Sequence, residues 1–208
     1  MRKADSVLLY FLKRRSLSRT EIMKYLYYYE YIHYKHTKRK GTELVFVRWD
    51  YGPFEATVYD SLQEYVDSGF LVTNEYINGY GRWACRYTGT CDVDHNLDET
   101  EKEVADYVLH EFSTKSFQEM LDLVYSTPPM LKVLEAEEEN EGKLLGEVLP
   151  MTQTNGTFKR TKAGREAAIK RLAAKDRHRG SDQEYMEAIT NDYKLHEQLR
   201  RRAHGVAH

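Results

Sequence analysis

The chain has 208 residues and a mass of 24.5 kDa, is 41% hydrophobic and 31% charged, and carries a net charge of −2. That length suits one domain plus an appendage, or two small domains, with a core that needs no metal or disulfide; the charge density, and the lack of any apolar run near the ~18–20 residues of a spanning helix, exclude a membrane protein. Two cysteines, Cys85 and Cys91, are too few for a disulfide scaffold or a four-ligand zinc site and fit a reducing, cytoplasmic setting, and the charge-broken N-terminus does not read as a secretory signal.

The small net charge hides segregation. Residues 1–48 hold 12 Lys/Arg against 4 Asp/Glu, and residues 49–91 hold 2 against 6. Residues 92–147 hold 4 against 16, and residues 148–208 hold 13 against 7. Such blocks imply a field directed at a partner, or segments that attract one another.

Ala4, Val7, Leu8, Phe11 and Leu12 recur at helical spacing and predict a first helix over residues 4–15. Ser18, with Glu21 three residues on, opens a second helix by a capping box, in which each side chain satisfies a free backbone N–H. Its inner stripe reads Ile22, Leu26, Tyr29 and His33, and Gly41 ends the run. Residues 44–49, rich in aliphatic and aromatic side chains, read as a short strand. In Tyr51-Gly52-Pro53-Phe54 the proline is placed at the first position of a third helix, where a missing N–H is no loss. Phe54, Val58, Leu62 and Val66 form that helix's apolar face, and Gly69 supplies its left-handed stop. Residues 70–77 and 82–88 then read as strands around Asn78-Gly79, a strong hairpin signal. This order of elements is that of a winged helix.

Asp98, boxed with Glu101, opens a helix burying Val104, Ala105, Val108, Leu109 and Phe112. Ser116, boxed with Glu119, opens another burying Phe117, Met120, Leu121, Val124 and Tyr125. Pro128-Pro129 breaks it, and residues 130–140 predict a last acidic helix. Residues 143–156 read as loop or short strand, and residues 162–175 as an Ala-rich basic helix. After a hinge at His178-Arg179-Gly180, Ser181 with Glu184 opens a polar helix whose thin stripe is Met186, Ile189, Tyr193 and Leu199. That helix either packs loosely or awaits a partner, which leaves open a homodimer through it. The fold class is therefore mostly α (α+β). Residues 1–140 form a helical, winged-helix-like domain with its hairpin at about 70–89. Residues 141–180 form a connecting segment with the Ala-rich basic helix, and residues 181–208 a polar C-terminal helix or arm.

A winged helix first suggests DNA, read by a third helix bearing cations and amides. Here residues 53–68 carry Glu55, Asp60, Glu64 and Asp67 and no Lys or Arg, so phosphate is repelled and DNA recognition by that face is disfavoured. The basic residues 35–40 and Arg200-Arg201-Arg202 read as solvated surface ahead of the alternative, a non-specific contact with nucleic acid. Residues 25–34 contain six tyrosines, Tyr25, Tyr27, Tyr28, Tyr29, Tyr31 and Tyr34. At about 100° per residue they do not all face one core. Either Tyr28 and Tyr31 are exposed as interface anchors, or neighbouring helices cover most of the set. No spacing nominates a catalytic, cofactor or metal site: His33 and His36 lack a third ligand, and Asp92, Asp94 and Asp98 lack the rest of a calcium loop.

Thr20-Glu21-Ile22-Met23-Lys24-Tyr25-Leu26-Tyr27-Tyr28, then Arg48-Trp49-Asp50-Tyr51-Gly52-Pro53-Phe54, Val58-Tyr59 and Thr127-Pro128-Pro129, together resemble the Panacea antitoxin domain over roughly residues 4–135. Met130 stands where that family often has tryptophan. The resemblance implies a non-enzymatic cytosolic antitoxin of prokaryotes or their phages, of the kind associated with phage defence. Such a protein binds an unrelated toxin by direct contact, and in one kind delivers it to a protease. The family-motif positions are Lys24, Leu26, Tyr27, Trp49, Tyr51, Gly52, Pro53, Val58 and Tyr59, and of the matching residues Lys24, Tyr28, Trp49, Tyr51, Gly52, Pro53 and Tyr59 are expected to serve the domain's fold more than toxin contact. Tyr25, Tyr28, Tyr31, Trp49 and Tyr51 are the partner-binding candidates, with the acidic residues 92–147 complementing a basic toxin. The competing reading is a winged-helix transcription regulator.

Overall fold

The computed structural model describes residues 1–78, 81, 83–90 and 96–152. The expected Ala-rich helix and C-terminal helix or arm, the dimer left open through it, and Cys91, Asp92 and Asp94 lie outside the described residues. The elements run α1 Lys3–Arg14, β1 Leu17–Ser18, α2 Arg19–Thr37, β2 Val47–Trp49, β3 Gly52–Phe54, α3 Thr57–Asp67, β4 Leu71–Ile77, β5 Trp83–Gly89, α4 Glu99–Ser113, α5 Phe117–Tyr125 and α6 Pro128–Glu139. The class is α+β and mostly helical, as the sequence predicts. Antiparallel pairing gives one sheet in the order β1-β5-β4 and a second hairpin, β2-β3.

Local signals place most helix starts. The capping boxes expected at Ser18, Asp98 and Ser116 form, and that at Ser181 lies outside the described residues. Ser18 N donates to Glu21 Oε2 at 2.8 Å, Asp98 N to Glu101 Oε2 at 2.8 Å, and Ser116 N to Glu119 Oε2 at 2.7 Å, each with the reciprocal bond. Gly69 stands just past α3 at φ +77°, its N–H donating to Val66 O. β4 and β5 pair from Leu71↔Gly89 to Ile77↔Trp83, and Gly81 N donates to Asn78 O across the turn. Residue 79 lies outside the described residues.

Three expectations are corrected. α2 ends at Thr37, not near Gly41. Lys38 turns left-handed (φ 59°) and donates its N–H to Tyr34 O, while Thr37 Oγ1 bonds back to His33 O. Pro53 is not the first residue of α3; it lies in β3 opposite Arg48, and α3 begins four residues later. Arg48 turns its own backbone the other way, receiving from Gly146 N and donating to Glu147 O, so the absent proline N–H leaves nothing unpaired. Phe117, expected inside, is exposed at the first position of α5.

The core is built around α1 and α2. α1 buries every residue from 4 to 12 and α2 every residue from 22 to 33, so neither presents a conventional polar side. α2 is packed by α1, α4, α5, β1, β3 and β5. Its aromatic rings meet others edge-on: Tyr25 with Phe11 and Phe112 at 5.4 and 4.8 Å, Tyr27 with Phe46 at 5.5 Å. Such pairs contribute roughly 0.5–1.5 kcal/mol each beyond their buried area.

Candidate partner-binding surface

The motif residues converge on one buried knot. Lys24, on the middle of α2, points at the β2-β3 turn and donates from Nζ to Tyr51 O at 2.6 Å and Pro53 O at 3.2 Å. Gly52 is at φ +96°, and a Cβ there would stand 3.0 Å from the Tyr125 ring and 3.2 Å from Lys24 Nζ. Glycine is therefore needed twice, for conformation and for close approach. Burial, and secondarily Arg48, pull the Lys24 pKa down to about 7; burial pushes that of Tyr125 up to about 12. Trp49, Phe54 and Tyr59 continue the knot as a run of tilted rings, 6.0 and 5.6 Å apart. Leu26, Tyr27 and Val58 are buried, and the Tyr27 hydroxyl shares a 2.6 Å hydrogen bond with Oγ1 of Thr127, the residue just before α6 and its two prolines.

Sequence reasoning did not single out the charges that lock this region. Arg48, buried in β2, lies with Nε 3.0 Å from Glu137 Oε1, off the hydrogen-bonding angle, while Nη2 donates to Oε2 at 3.2 Å. Its Nη1 donates to Trp49 O. Glu30, fully buried, accepts from Gly41 N, Thr42 N and Thr42 Oγ1 at 2.8–3.1 Å, tying the loop after α2 back onto the helix. Burial raises its pKa against those bonds. Glu30 and Glu137 have no local signature; a carboxylate within an apolar helical stretch is the only hint for Glu30.

Of the two readings of the α2 tyrosines, cover by neighbouring elements holds and exposed anchors do not: Tyr28 and Tyr31 are 5% and 7% exposed. Tyr28 packs 5.0 Å from Phe112, and the two tyrosine rings lie 5.9 Å apart. Tyr25 and Trp49 are buried as well, and Tyr51 is half-buried. The reason is that α2 is covered on all sides, so the angular spread of its tyrosines supplies several interfaces of one core.

The open surface lies elsewhere. Glu99 and Glu103 of α4, Glu119 of α5, and Glu135, Glu138 and Glu139 of α6 are exposed, with Lys102 and Lys132 as the exposed cations on the same helices. On α3 the exposed charges are Asp60, Glu64 and Asp67. Exposed apolar side chains include Phe70, Val72, Ile77 and Trp83 of the β4-β5 hairpin and its approach. Among the described residues no cluster of three or more His, Cys, Asp or Glu is arranged to hold a metal ion, and no helix is long and apolar enough to cross a membrane. His33 is buried, its Nδ1 3.1 Å from Arg39 O.

The family model of the SocA-like antitoxins, the Panacea domain, matches residues 22–129, more than half of the chain. The chain belongs to the Panacea family. No curated protein and no solved structure matches it. The Panacea match opens in the first turn of α2 and closes at the start of α6, and it takes in the whole Lys24 knot except its outer lock. α1, though outside the match, is the most completely buried helix, and α6 contributes Met130, Val133 and Glu137 to the interior. Membership supports an antitoxin-type role and, with it, a toxin as partner and a non-enzymatic task.

Proposed function

We propose that this Panacea protein is a cytoplasmic antitoxin that neutralises a protein toxin by direct binding, using a winged-helix-like scaffold to grip polypeptide. The family match over residues 22–129 carries the reading. The surface supports it: α4–α6 present carboxylates in excess, which speed encounter with a basic protein, as toxins acting on RNA or translation commonly are. A DNA-binding regulator is not favoured, because α3 offers Asp60, Glu64 and Asp67 where phosphate contacts need cations.

The test is co-expression with a candidate toxin, sought as the product of a small gene adjacent to that of this chain. Growth arrest by that product alone, rescue by this chain, and a complex of the two purified proteins are expected. Rescue without a complex would overturn direct binding, and a shortened toxin half-life on rescue would point to protease delivery instead. Glu135→Lys with Glu139→Lys, one turn apart on α6, should slow association several-fold at low salt and flatten its salt dependence.

A further inference from the structure

The β4-β5 hairpin buries little of its own surface. Among the described residues β4 is the outer strand of its sheet. Only Leu71 of its seven residues is buried, and Val72, Thr73, Asn74 and Glu75 are exposed in succession, so both faces are open as well as the edge. Directly paired residues share a face. The pair Ile77↔Trp83 therefore sets two large apolar side chains together at the far end, 61% and 59% exposed. Val72, 52% exposed, stands near the base. An unpaired edge is a template for another strand, and proteins ordinarily blunt it with lysine, proline or a bulge. Residues 71–77, Leu-Val-Thr-Asn-Glu-Tyr-Ile, contain neither residue, and their seven pairs with β5 run without a bulge.

Charge selects the occupant. α3 packs beside β4 and exposes Asp60, Glu64 and Asp67, while β4 adds Glu75. A second copy would bring the same carboxylates to the same edge, so self-pairing is opposed. An extended segment alternating cationic and apolar side chains is attracted, with main-chain bonds to the edge and an apolar contact on Trp83, a residue type enriched at binding hot spots. We propose that the β4 edge, anchored by the Ile77–Trp83 pair, is the docking strip for an extended basic and apolar segment of the toxin, added as a further strand. The identity of the partner rests on the antitoxin reading above; the chemistry of the strip does not.

The chain's two tryptophans make the strip testable, because Trp49 is buried and Trp83 is not. The probe is an N-acetylated seven-residue peptide alternating lysine and valine, titrated into the full chain. A saturable blue shift of Trp83 emission is expected, with amide shifts centred on residues 71–77. Ile77→Lys, which takes the apolar anchor from beside Trp83, should weaken binding at least tenfold, and an alternating glutamate–valine peptide should bind at least tenfold more weakly. No saturable shift, equal binding of the two peptides, or the same shift on concentrating the chain alone would overturn the strip. In co-expression, Val72→Lys with Ile77→Lys, at an unchanged melting temperature, should abolish protection against a toxin that the wild type neutralises. Retained protection overturns the strip and leaves the antitoxin reading standing. A wild type that fails to protect overturns that reading, and the peptide titration still decides the strip.

Discussion

Lys24 illustrates how one residue can hold a turn and tax the fold at once. Its Nζ satisfies two carbonyl oxygens of the β2-β3 turn from full burial, and burial, with Arg48, brings its pKa from 10.5 to about 7. In the unfolded chain the lysine keeps its proton up to its ordinary value. Between about pH 7 and 10.5 the unfolded state therefore binds more protons, and stability rises with pH across that window. Below pH 7 both states are charged and the slope vanishes. Lys24→Met should abolish this rise, seen as the difference in melting temperature between wild type and variant from pH 7 to 9. At pH 9 it should cost about 1–3 kcal/mol, because two carbonyls lose their donor. A pH-independent difference would show that Lys24 stays neutral or fully charged throughout. Gly41 makes a similar point through space. A Cβ there would stand 2.8 Å from His33 Cγ and 2.9 Å from Tyr29 Cε1, so Gly41→Ala should destabilise by roughly 1–3 kcal/mol in urea titrations.

At the scale of elements, the sequence speaks through interactions that span three or four residues. The capping boxes of α2, α4 and α5 depend on a side chain and a backbone N–H three positions apart, and all three form where Ser18, Asp98 and Ser116 place them. α5 has only nine residues, too few to persist unaided, so its cap and its packing share the task of holding it. Ser116→Ala should cost about 1 kcal/mol by chemical denaturation. Pro53 shows where local reasoning divides. A residue lacking an N–H fits the first turn of a helix and a strand position facing away from its partner equally well. The neighbour at Gly146 and Glu147, about a hundred residues along, is what claims the Arg48 backbone and makes the strand position acceptable.

The molecule as a whole is closed by contacts far apart in sequence. The Arg48–Glu137 pair joins β2 to α6 across 89 residues, buried at both ends. Removing one partner leaves an uncompensated charge, so Arg48→Met or Glu137→Leu should each cost about 3–5 kcal/mol, and the double variant much less than their sum. Equal additive losses would mean that the two side chains act independently. The same pair ties α6 into a domain whose family match stops at its first turn, so a chain truncated after residue 129 should unfold at far milder denaturant than the full chain.

By itself the sequence determined the starts of α2, α4 and α5, the β4-β5 hairpin, the stop at Gly69 and the family, because each depends on neighbours a few positions away or on an ordered motif. Tertiary structure alone decided that Glu137 is buried while Glu135, Glu138 and Glu139 of the same acidic run are not. It likewise decided that Tyr25, Tyr27, Tyr28, Tyr29 and Tyr31 of α2 are core rather than surface. Periodicity assumes one buried side per helix, and that assumption fails for a helix surrounded by its neighbours.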